Sequence, residues 1–79
     1  MTDFELMGAA LEEARKAAAL GEVPVGAVVA KDGEIISAAH NTRETEKNAL
    51  HRAELLAIDA ACKKLGGWRL WQCELFVTL

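Results

Sequence analysis

The sequence has no long apolar run, few cysteines and no surplus of positive charge, and each absence narrows the class of protein. No apolar run approaches the ~20 residues of a membrane-spanning helix, so no membrane partner is expected. Cys62 and Cys73 form no C-x-x-C pair and no secretory signal precedes them, which predicts reduced thiols and a cytoplasmic location. The net charge of −3 does not indicate nucleic-acid binding, which would need a local basic patch.

The composition is that of one small folded domain. Hydrophobic residues make up 52% of the 79 residues and charged residues 27%, which is enough apolar material for a core and argues against disorder. A chain of this length buries only roughly 60% of its unfolded surface, so we expect marginal stability. There is no internal repeat, linker or low-complexity segment.

Two segments have the composition and apolar spacing of helices. Residues 3–20 are rich in strong helix formers, with Thr2 or Asp3 to cap the start and Gly21 to close the end. The apolar spacing predicts a buried stripe of Phe4, Met7, Leu11, Ala14 and Ala18. A second helix is predicted over residues 49–67, which end in two glycines. Its buried side is predicted to consist of Leu50, Ala53, Ala57, Ile58, Ala61 and Leu65.

Three apolar segments, residues 25–30, 34–39 and 73–79, predict strands. An Asp-Gly pair between the first two indicates a hairpin, and the wholly apolar first strand predicts a sheet covered on both faces. Pro24 lacks an N–H and belongs in the loop before that strand. The order is α-β-β-α-β. A domain rarely ends inside an apolar strand, so we expect the chain to be part of a larger unit.

The start of the second helix combines His51 with Glu54, three residues later. Such a pair shares a helix face and could meet a metal, although an exposed pair is the commoner outcome. Glu54 falls on the predicted buried face, where a carboxylate is rare unless paired or functional; a side chain reaching back to solvent is the alternative. Asn41 could simply be a turn residue, and the two cysteines small buried hydrophobes. Trp68 and Trp71 are predicted to anchor their loop against the core.

The order and spacing of three segments carry a resemblance to a known family. "GEVPVGAVVAKDGEIISAAHN", "HRAELLAIDAACKKLGGWRL" and "LFVTL" resemble the tRNA adenosine deaminases of the cytidine-deaminase-like superfamily, from about Phe4 to Leu79. The resemblance implies a three-layer α/β/α fold with a mixed sheet, present here as a partial α-β-β-α-β unit. It also implies zinc-dependent hydrolytic deamination of adenosine to inosine at the tRNA wobble position, by a homodimer that binds the tRNA anticodon arm.

The family's zinc motif matches this sequence only in part. In the family, a histidine ligand lies two residues before the catalytic glutamate, as H-A-E, and two cysteine ligands follow the third strand in P-C-x-x-C. Ala53-Glu54 matches the A-E, which makes Glu54 the proton-transferring acid. The ligand position holds Arg52, whose guanidinium has no lone pair for zinc. His51 would replace the ligand only if the helix start shifted by one residue. Cys73 lies at the start of the predicted third strand, whereas the family's cysteines follow that strand, so Cys73 is not in a ligand position.

The resemblance also implies substrate-binding residues. Asn41 matches the asparagine that contacts the nucleotide in this family. Residues 22–24, Glu-Val-Pro, form a loop that in the family borders the base pocket, and Val23 and Pro24 are its expected substrate-binding residues. Arg43, Lys47 and Arg52 would add positive charge near the mouth of the pocket. This charge could bind a phosphate backbone, or it could be ordinary solvated charge on a loop.

Two functional hypotheses follow from these matches and departures. In the first, residues 1–79 are the N-terminal part of a single deaminase domain, truncated before the P-C-x-x-C zinc motif. The complete enzyme would hold Zn²⁺, while this chain alone would be inactive and bind none. In the second, favoured by Arg52, the chain is a truncated or degenerate non-catalytic deaminase-like module. Because relatives deaminate guanine or cytidine nucleotides, those substrates are the alternative to adenosine.

Overall fold

The computed structural model describes residues 1–78, which form two helices and three strands. Their order is α1 (Asp3–Ala19), β1 (Gly26–Lys31), β2 (Glu34–His40), α2 (Ala53–Leu65) and β3 (Cys73–Val77). This confirms the predicted α-β-β-α-β order; the last predicted strand extended to Leu79, which lies outside the described residues. Within residues 1–78, no helix combines the length and apolar character needed to cross a bilayer.

The sheet has the strand order β2-β1-β3, and both pairings are antiparallel. β2 and β3 therefore run in the same direction on either side of β1, and α2 connects them. Asp32 and Gly33 join β1 to β2 with φ values of 53° and 77°, the two left-handed residues of a tight hairpin turn, as the Asp-Gly pair predicted. The parallel pairing that would make the sheet mixed stays a prediction.

The central strand β1 is buried on both faces, as its continuous apolar sequence predicted. Ala27 and Val29 form one core cluster with the alanines that α2 turns toward the sheet: Ala53, Ala57 and Ala61. Gly26 lies against the backbone of α1. Because successive strand residues point to opposite faces, one helix covers each face. The predicted three-layer α/β/α arrangement is confirmed.

The buried stripe of α1 differs from the predicted one. The buried residues are Leu6, Ala10, Glu13, Ala14 and Ala17, whereas Phe4 is 89% exposed. Of the predicted stripe, only Ala14 is buried. The helix is so rich in alanine that several stripes share the same spacing, and the face with the smallest side chains is the one that can approach the sheet. The helix begins with Thr2 as its cap, in a reciprocal pair with Glu5.

Glu13 is a buried carboxylate on the sheet-facing side of α1. Its Oε1 lies 2.8 Å from His40 Nδ1 at the end of β2, and its Oε2 accepts from Lys16 Nζ at 2.7 Å. Burial raises the pKa of Glu13, but the hydrogen bonds from His40 and Lys16 outweigh it and hold the pKa below the ordinary value of 4.5. The contact with His40 ties α1 to the residue immediately before Asn41.

The second helix begins at Ala53, four residues later than predicted. Residues 49–50 form a turn and residues 51–52 are irregular, since the Leu50 N–H donates to Asn48 Oδ1 (2.9 Å) and the His51 N–H to Asn48 O (3.0 Å). Ala53, Ala57 and Ala61 are buried as predicted. The prediction was wrong for Leu50 and Leu65, which are exposed, and Ile58 is half-buried. The helix ends as predicted, at Gly66 in the left-handed conformation (φ 75°).

The two tryptophans after α2 do not anchor their loop, so that prediction was wrong. Trp68 is 78% and Trp71 72% exposed, and the residue between them that packs against the core cluster is Leu70. Arg69 lies over the Trp68 ring, 4.9 Å from its centroid. Cys62 and Cys73 are free, as predicted, and half-buried rather than fully buried.

Gly26→Ala should destabilise the fold severely. The added Cβ would lie 2.5 Å from Ala14 N and 2.7 Å from Glu13 Cβ, and would also overlap Ala10 O. Backbone atoms cannot rotate away, so we expect a loss of roughly 3 kcal/mol or more in the free energy of unfolding, measured by urea denaturation. Gly8→Ala is the control. Gly8 lies on α1, the helix that Gly26 approaches, and there the added Cβ points into open space, so the substitution should stabilise by roughly 0.5–1 kcal/mol. Equal stability of the two variants would contradict the close approach.

Candidate active site at the start of α2

The candidate site lies where three segments meet: the loop after α1, the connecting loop (residues 41–52, between β2 and α2) and the start of α2. Asn41 is buried at this junction and contacts the other two segments. Its Oδ1 accepts the Ala53 N–H at 2.7 Å, and its own N–H donates to Val25 O at 3.2 Å. Asn41 therefore fixes the start of α2 relative to the start of β1.

Asn41 acts as a helix cap from outside the helix. The first N–H groups of any helix lack intrahelical acceptors, and a side chain at the N-cap position normally supplies one. Here the N-cap residue is Arg52, which makes no such bond. Asn41, twelve residues earlier, supplies the acceptor for Ala53 instead. The residue that the resemblance assigns to substrate binding thus also determines where α2 begins.

Arg52 and Glu54 form an ion pair at the first turn of α2. Arg52 Nε lies 3.0 Å from Glu54 Oε1, and the Glu54 side chain is 27% exposed. The predicted catalytic acid is therefore half-buried and open to solvent on one side. The residue at the family's zinc-ligand position is in direct contact with it, and a guanidinium attracts a carboxylate without being able to bind a metal.

His51 makes its contacts within the connecting loop. Its Nδ1 lies 3.0 Å from Glu46 Oε1, which also accepts from the Thr42 hydroxyl, and the Thr42 N–H donates to His51 O at 3.0 Å. The Thr42 hydrogen bond, and to a smaller extent that of His51, hold the pKa of Glu46 below its ordinary value. Because His51 precedes α2, the helical spacing that would put it on one face with Glu54 does not apply.

The donor set at the site does not fit a zinc ion. Among residues 1–78, no three side chains of His, Cys, Asp or Glu lie close enough together to hold a metal. Protein zinc sites use three or four such ligands. Of the side chains near Glu54, Arg52 has no lone pair, and His51 is bonded to Glu46. No chemical step through a metal follows from these residues.

Glu22, which the sequence placed in the pocket loop without assigning it a role, is the buried acid that organises the connecting loop. Its Oε1 accepts the Glu44 N–H at 3.1 Å, and its Oε2 accepts the N–H and the hydroxyl of Thr45, both at 2.6 Å. The Thr45 hydroxyl is the main cause that lowers the pKa of Glu22. The available signal was the loop itself, since residues 41–48 contain no apolar side chain and their N–H groups need polar acceptors.

Val23 and Pro24 are exposed beside this junction, and Val23 is 61% exposed. They directly precede Val25, whose carbonyl receives the Asn41 N–H. A separate open groove of about 320 Å³ runs along the outer side of α2, lined by Leu50, His51, Leu55, Leu56 and Asp59. Of the predicted site residues, the groove contacts only His51.

A comparison with known protein families identifies the family of this chain. The family model of the cytidine and deoxycytidylate deaminase zinc-binding region matches residues 1–79. The chain belongs to this deaminase family, which confirms the family resemblance of the sequence.

Individual relatives agree with this assignment. The chain is 56% identical over 80 residues to a tRNA-specific adenosine deaminase of Bacillus subtilis, covering 100% of this chain and 50% of that protein. It is 54% identical over 70 residues to the Aquifex aeolicus enzyme of the same name, covering 89% of this chain and 46% of that one. The chain thus spans about half the length of the curated relatives that it matches.

Solved structures show the same fold. A structure from a study of A-to-I editing by tRNA:A34 deaminases matches with a TM-score of 0.91 and 39% identity, over 95% of this chain and 58% of that one. A guanine deaminase of Bacillus subtilis matches with a TM-score of 0.92 and 35% identity, over 98% and 50%. The cytidine-deaminase-like fold is therefore confirmed.

Asn41→Ala should destabilise the start of α2. It removes the acceptor of the Ala53 N–H in a buried place, so we expect a loss of about 1–2 kcal/mol in urea denaturation and faster hydrogen exchange of the Ala53 amide. Asn48→Ala is the matched control, because Asn48 Oδ1 accepts the Leu50 N–H in an exposed turn and should cost less. If the two variants lost equal stability, the capping role of Asn41 would be refuted.

The 79-residue chain, purified without chelator, should carry far less than one zinc ion per molecule. The reason is its donor set, in which Arg52 takes the place of a ligand and no three ligating side chains converge within residues 1–78. Elemental analysis of the purified protein is the measurement. One tightly held zinc per chain would instead show that His51, Cys62 or Cys73 binds the metal.

Proposed function

We propose that residues 1–79 are the N-terminal part of a single deaminase domain whose complete form converts adenosine to inosine at the tRNA wobble position. The observation that carries the proposal is the junction of Asn41, Ala53 and Glu54, in which a buried amide fixes the helix start one residue before a half-buried carboxylate. The relatives named tRNA-specific adenosine deaminase support this substrate at 56% and 54% identity, and among the solved structures the one from the tRNA:A34 deaminase study matches at 39% identity against 35% for the guanine deaminase.

In this proposal Glu54 is the general acid and base. Deamination replaces an amino group by oxygen from water, so one group must take a proton from the water and deliver it to the base. A carboxylate held at a helix start and open to solvent on one side can do both. The ion pair with Arg52 opposes this role, since the guanidinium occupies the Oε1 of the carboxylate.

Asn41, Val23 and Pro24 would bind the nucleotide. The hydrogen bond to Ala53 uses Asn41 Oδ1, which leaves the side-chain NH₂ as a donor toward a substrate. Val23 and Pro24 are exposed beside it and offer apolar surface to a base. These three residues would set the orientation of the base relative to Glu54.

The anticodon arm of tRNA is the proposed partner, bound by a cytoplasmic homodimer of the complete enzyme. The chain as a whole carries a net charge of −3, so attraction to phosphate must be local. Arg43 and Lys47 are exposed on the connecting loop. Arg52 is the last residue of that loop, and its side chain is 56% exposed. Together they would form a small basic surface beside the nucleotide site.

Zn²⁺ belongs to the complete family enzyme in this proposal and not to this chain alone. Its binding would depend on cysteines of the P-C-x-x-C motif and on an imidazole near Glu54. His51 is the imidazole nearest in sequence, and it could serve only if it left Glu46 and the start of α2 shifted.

A non-catalytic deaminase-like module is the second candidate, and the Arg52–Glu54 ion pair favours it. Such a module would keep the layered fold and the basic loop without turning over a substrate. Deamination of guanine or of cytidine nucleotides is the alternative within the enzyme class, and the likeness to the guanine deaminase structure supports guanine.

A chimera tests the enzyme proposal: this chain followed by the C-terminal half of the Bacillus subtilis relative. With Arg52 in place, we expect little zinc and little activity, because the guanidinium brings positive charge beside a cation. Arg52→His should restore zinc, and with it deamination of an anticodon stem-loop, assayed in parallel with guanine and cytidine. Adding Glu54→Gln should keep the zinc and lower turnover by about 10²- to 10⁴-fold.

The same chimera distinguishes the alternatives. Full activity with Arg52 in place, lost on His51→Ala, would make His51 the ligand and overturn the proposed role of position 52. Turnover of guanine without turnover of the stem-loop would replace the proposed substrate. A folded Arg52→His chimera that holds zinc but deaminates none of the three substrates would support the non-catalytic module.

A further inference from the structure

Glu22 lies in an electrostatically unfavourable place for a protein that binds RNA. It is a buried acid beneath the loop that carries the proposed basic surface, and its lowered pKa keeps it ionised at neutral pH. A negative charge there repels phosphate and weakens the field of Arg43 and Lys47. A carboxylate in this position needs a structural benefit that exceeds the electrostatic cost.

The benefit is the order that Glu22 imposes on the loop. Residues 43–47 form turns in which every residue is exposed, and Lys47 itself adopts a left-handed conformation (φ 53°). Glu22 accepts two consecutive N–H groups, from Glu44 and Thr45, together with the Thr45 hydroxyl. Charge-assisted bonds of this kind are about twice as strong as neutral ones, so one side chain fixes the middle of the turn.

We propose that Glu22 is a positioning residue for RNA: by binding Glu44 and Thr45 it holds Arg43 and Lys47 toward the phosphates of the anticodon arm. This inference rests on the proposed function for its RNA partner and adds a specific role for an acid. Without Glu22 the loop would still carry two cations, but they would be distributed over many conformations and each phosphate contact would cost more ordering entropy.

The proposal predicts an effect opposite in sign to that of simple charge. If Glu22 acted on RNA only through its charge, Glu22→Gln would strengthen binding, because the substitution removes a repulsive group. If Glu22 acts by holding the loop, Glu22→Gln should weaken binding in spite of the lost negative charge. A glutamine has one carbonyl oxygen and cannot accept all three hydrogen bonds at full strength.

The test uses the 79-residue chain and an anticodon stem-loop RNA with adenosine at the wobble position, with Kd measured across a salt series. We expect Glu22→Gln to weaken binding several-fold and to make the slope of log K against log salt shallower by about 1–2, as two phosphate contacts would. The double variant Arg43→Ala, Lys47→Ala should lose the whole contribution of these two phosphate contacts, about 2 in slope.

Two control variants separate order from charge and from unfolding. Glu44→Gln removes the same charge from the exposed side of the loop and leaves the Glu44 N–H bond to Glu22 intact, so binding should stay equal or tighten. Thr45→Val changes no charge and removes only the hydroxyl donor from an exposed residue, so binding should weaken in the same direction as for Glu22→Gln, but less. Hydrogen exchange should show the Glu44 and Thr45 amides exchanging faster in Glu22→Gln while the β1 amides stay protected.

The outcomes distinguish a failure of the positioning role of Glu22 from a failure of RNA binding itself. Wild-type binding together with a Glu22→Gln affinity equal to or above that of Glu44→Gln would overturn the positioning role and leave the RNA partner intact. Unchanged protection of the Glu44 and Thr45 amides would overturn it as well. A wild-type chain that does not bind the stem-loop would overturn this inference, which requires the loop of residues 1–79 to bind RNA by itself, whereas the substrate of the complete enzyme is decided by the chimera.

Discussion

The hydrogen bond from the Ala53 N–H to Asn41 Oδ1 joins parts of the chain that would otherwise be independent. It connects the end of an edge strand to the first residue of a helix that packs on the central strand. The Asn41 backbone adds a bond to Val25, so the same residue also fixes the loop before β1. The orientation of Glu54 depends on this bond, because a helix that began elsewhere would turn the carboxylate by about 100° per residue.

The sequence predicted those parts of the fold that depend on a few neighbouring residues. The Asp-Gly turn and the buried strand β1 follow from left-handed backbone preference and from apolar continuity, and both lie where expected. The start of α2 was not predictable in this way. Residues 49–52 have an acceptable helix pattern, but Asn48 offers them side-chain and backbone acceptors that favour turns. Helix propensity cannot reveal that competition, because its outcome depends on Asn41, which lies twelve positions before Ala53 and accepts the Ala53 N–H.

In the candidate site, too, some residues could be predicted from the sequence and others could not. The importance of Asn41 and Glu54 was suggested by motif, and both lie at the junction of the three segments. The role of Glu22 was missed because a loop acid has no periodicity, and its partners are more than twenty residues away. Trp68 and Trp71 were misassigned for a related reason: aromatic size suggested burial, while the shorter Leu70 reaches the core. Long-range polar contacts and the choice among neighbouring apolar residues need the three-dimensional fold.

The helix faces that meet the sheet consist mainly of alanine: Ala10, Ala14 and Ala17 on α1, and Ala53, Ala57 and Ala61 on α2. Replacing a leucine in an ordinary core leaves a cavity, but an alanine can lose only one methyl group. Every other substitution at these six positions adds volume where helix and sheet already touch. The tolerance of this core to mutation is therefore asymmetric. Substitutions should be tolerated more readily on the outer helix faces than at these six positions, where the space is limited to a side chain as small as alanine.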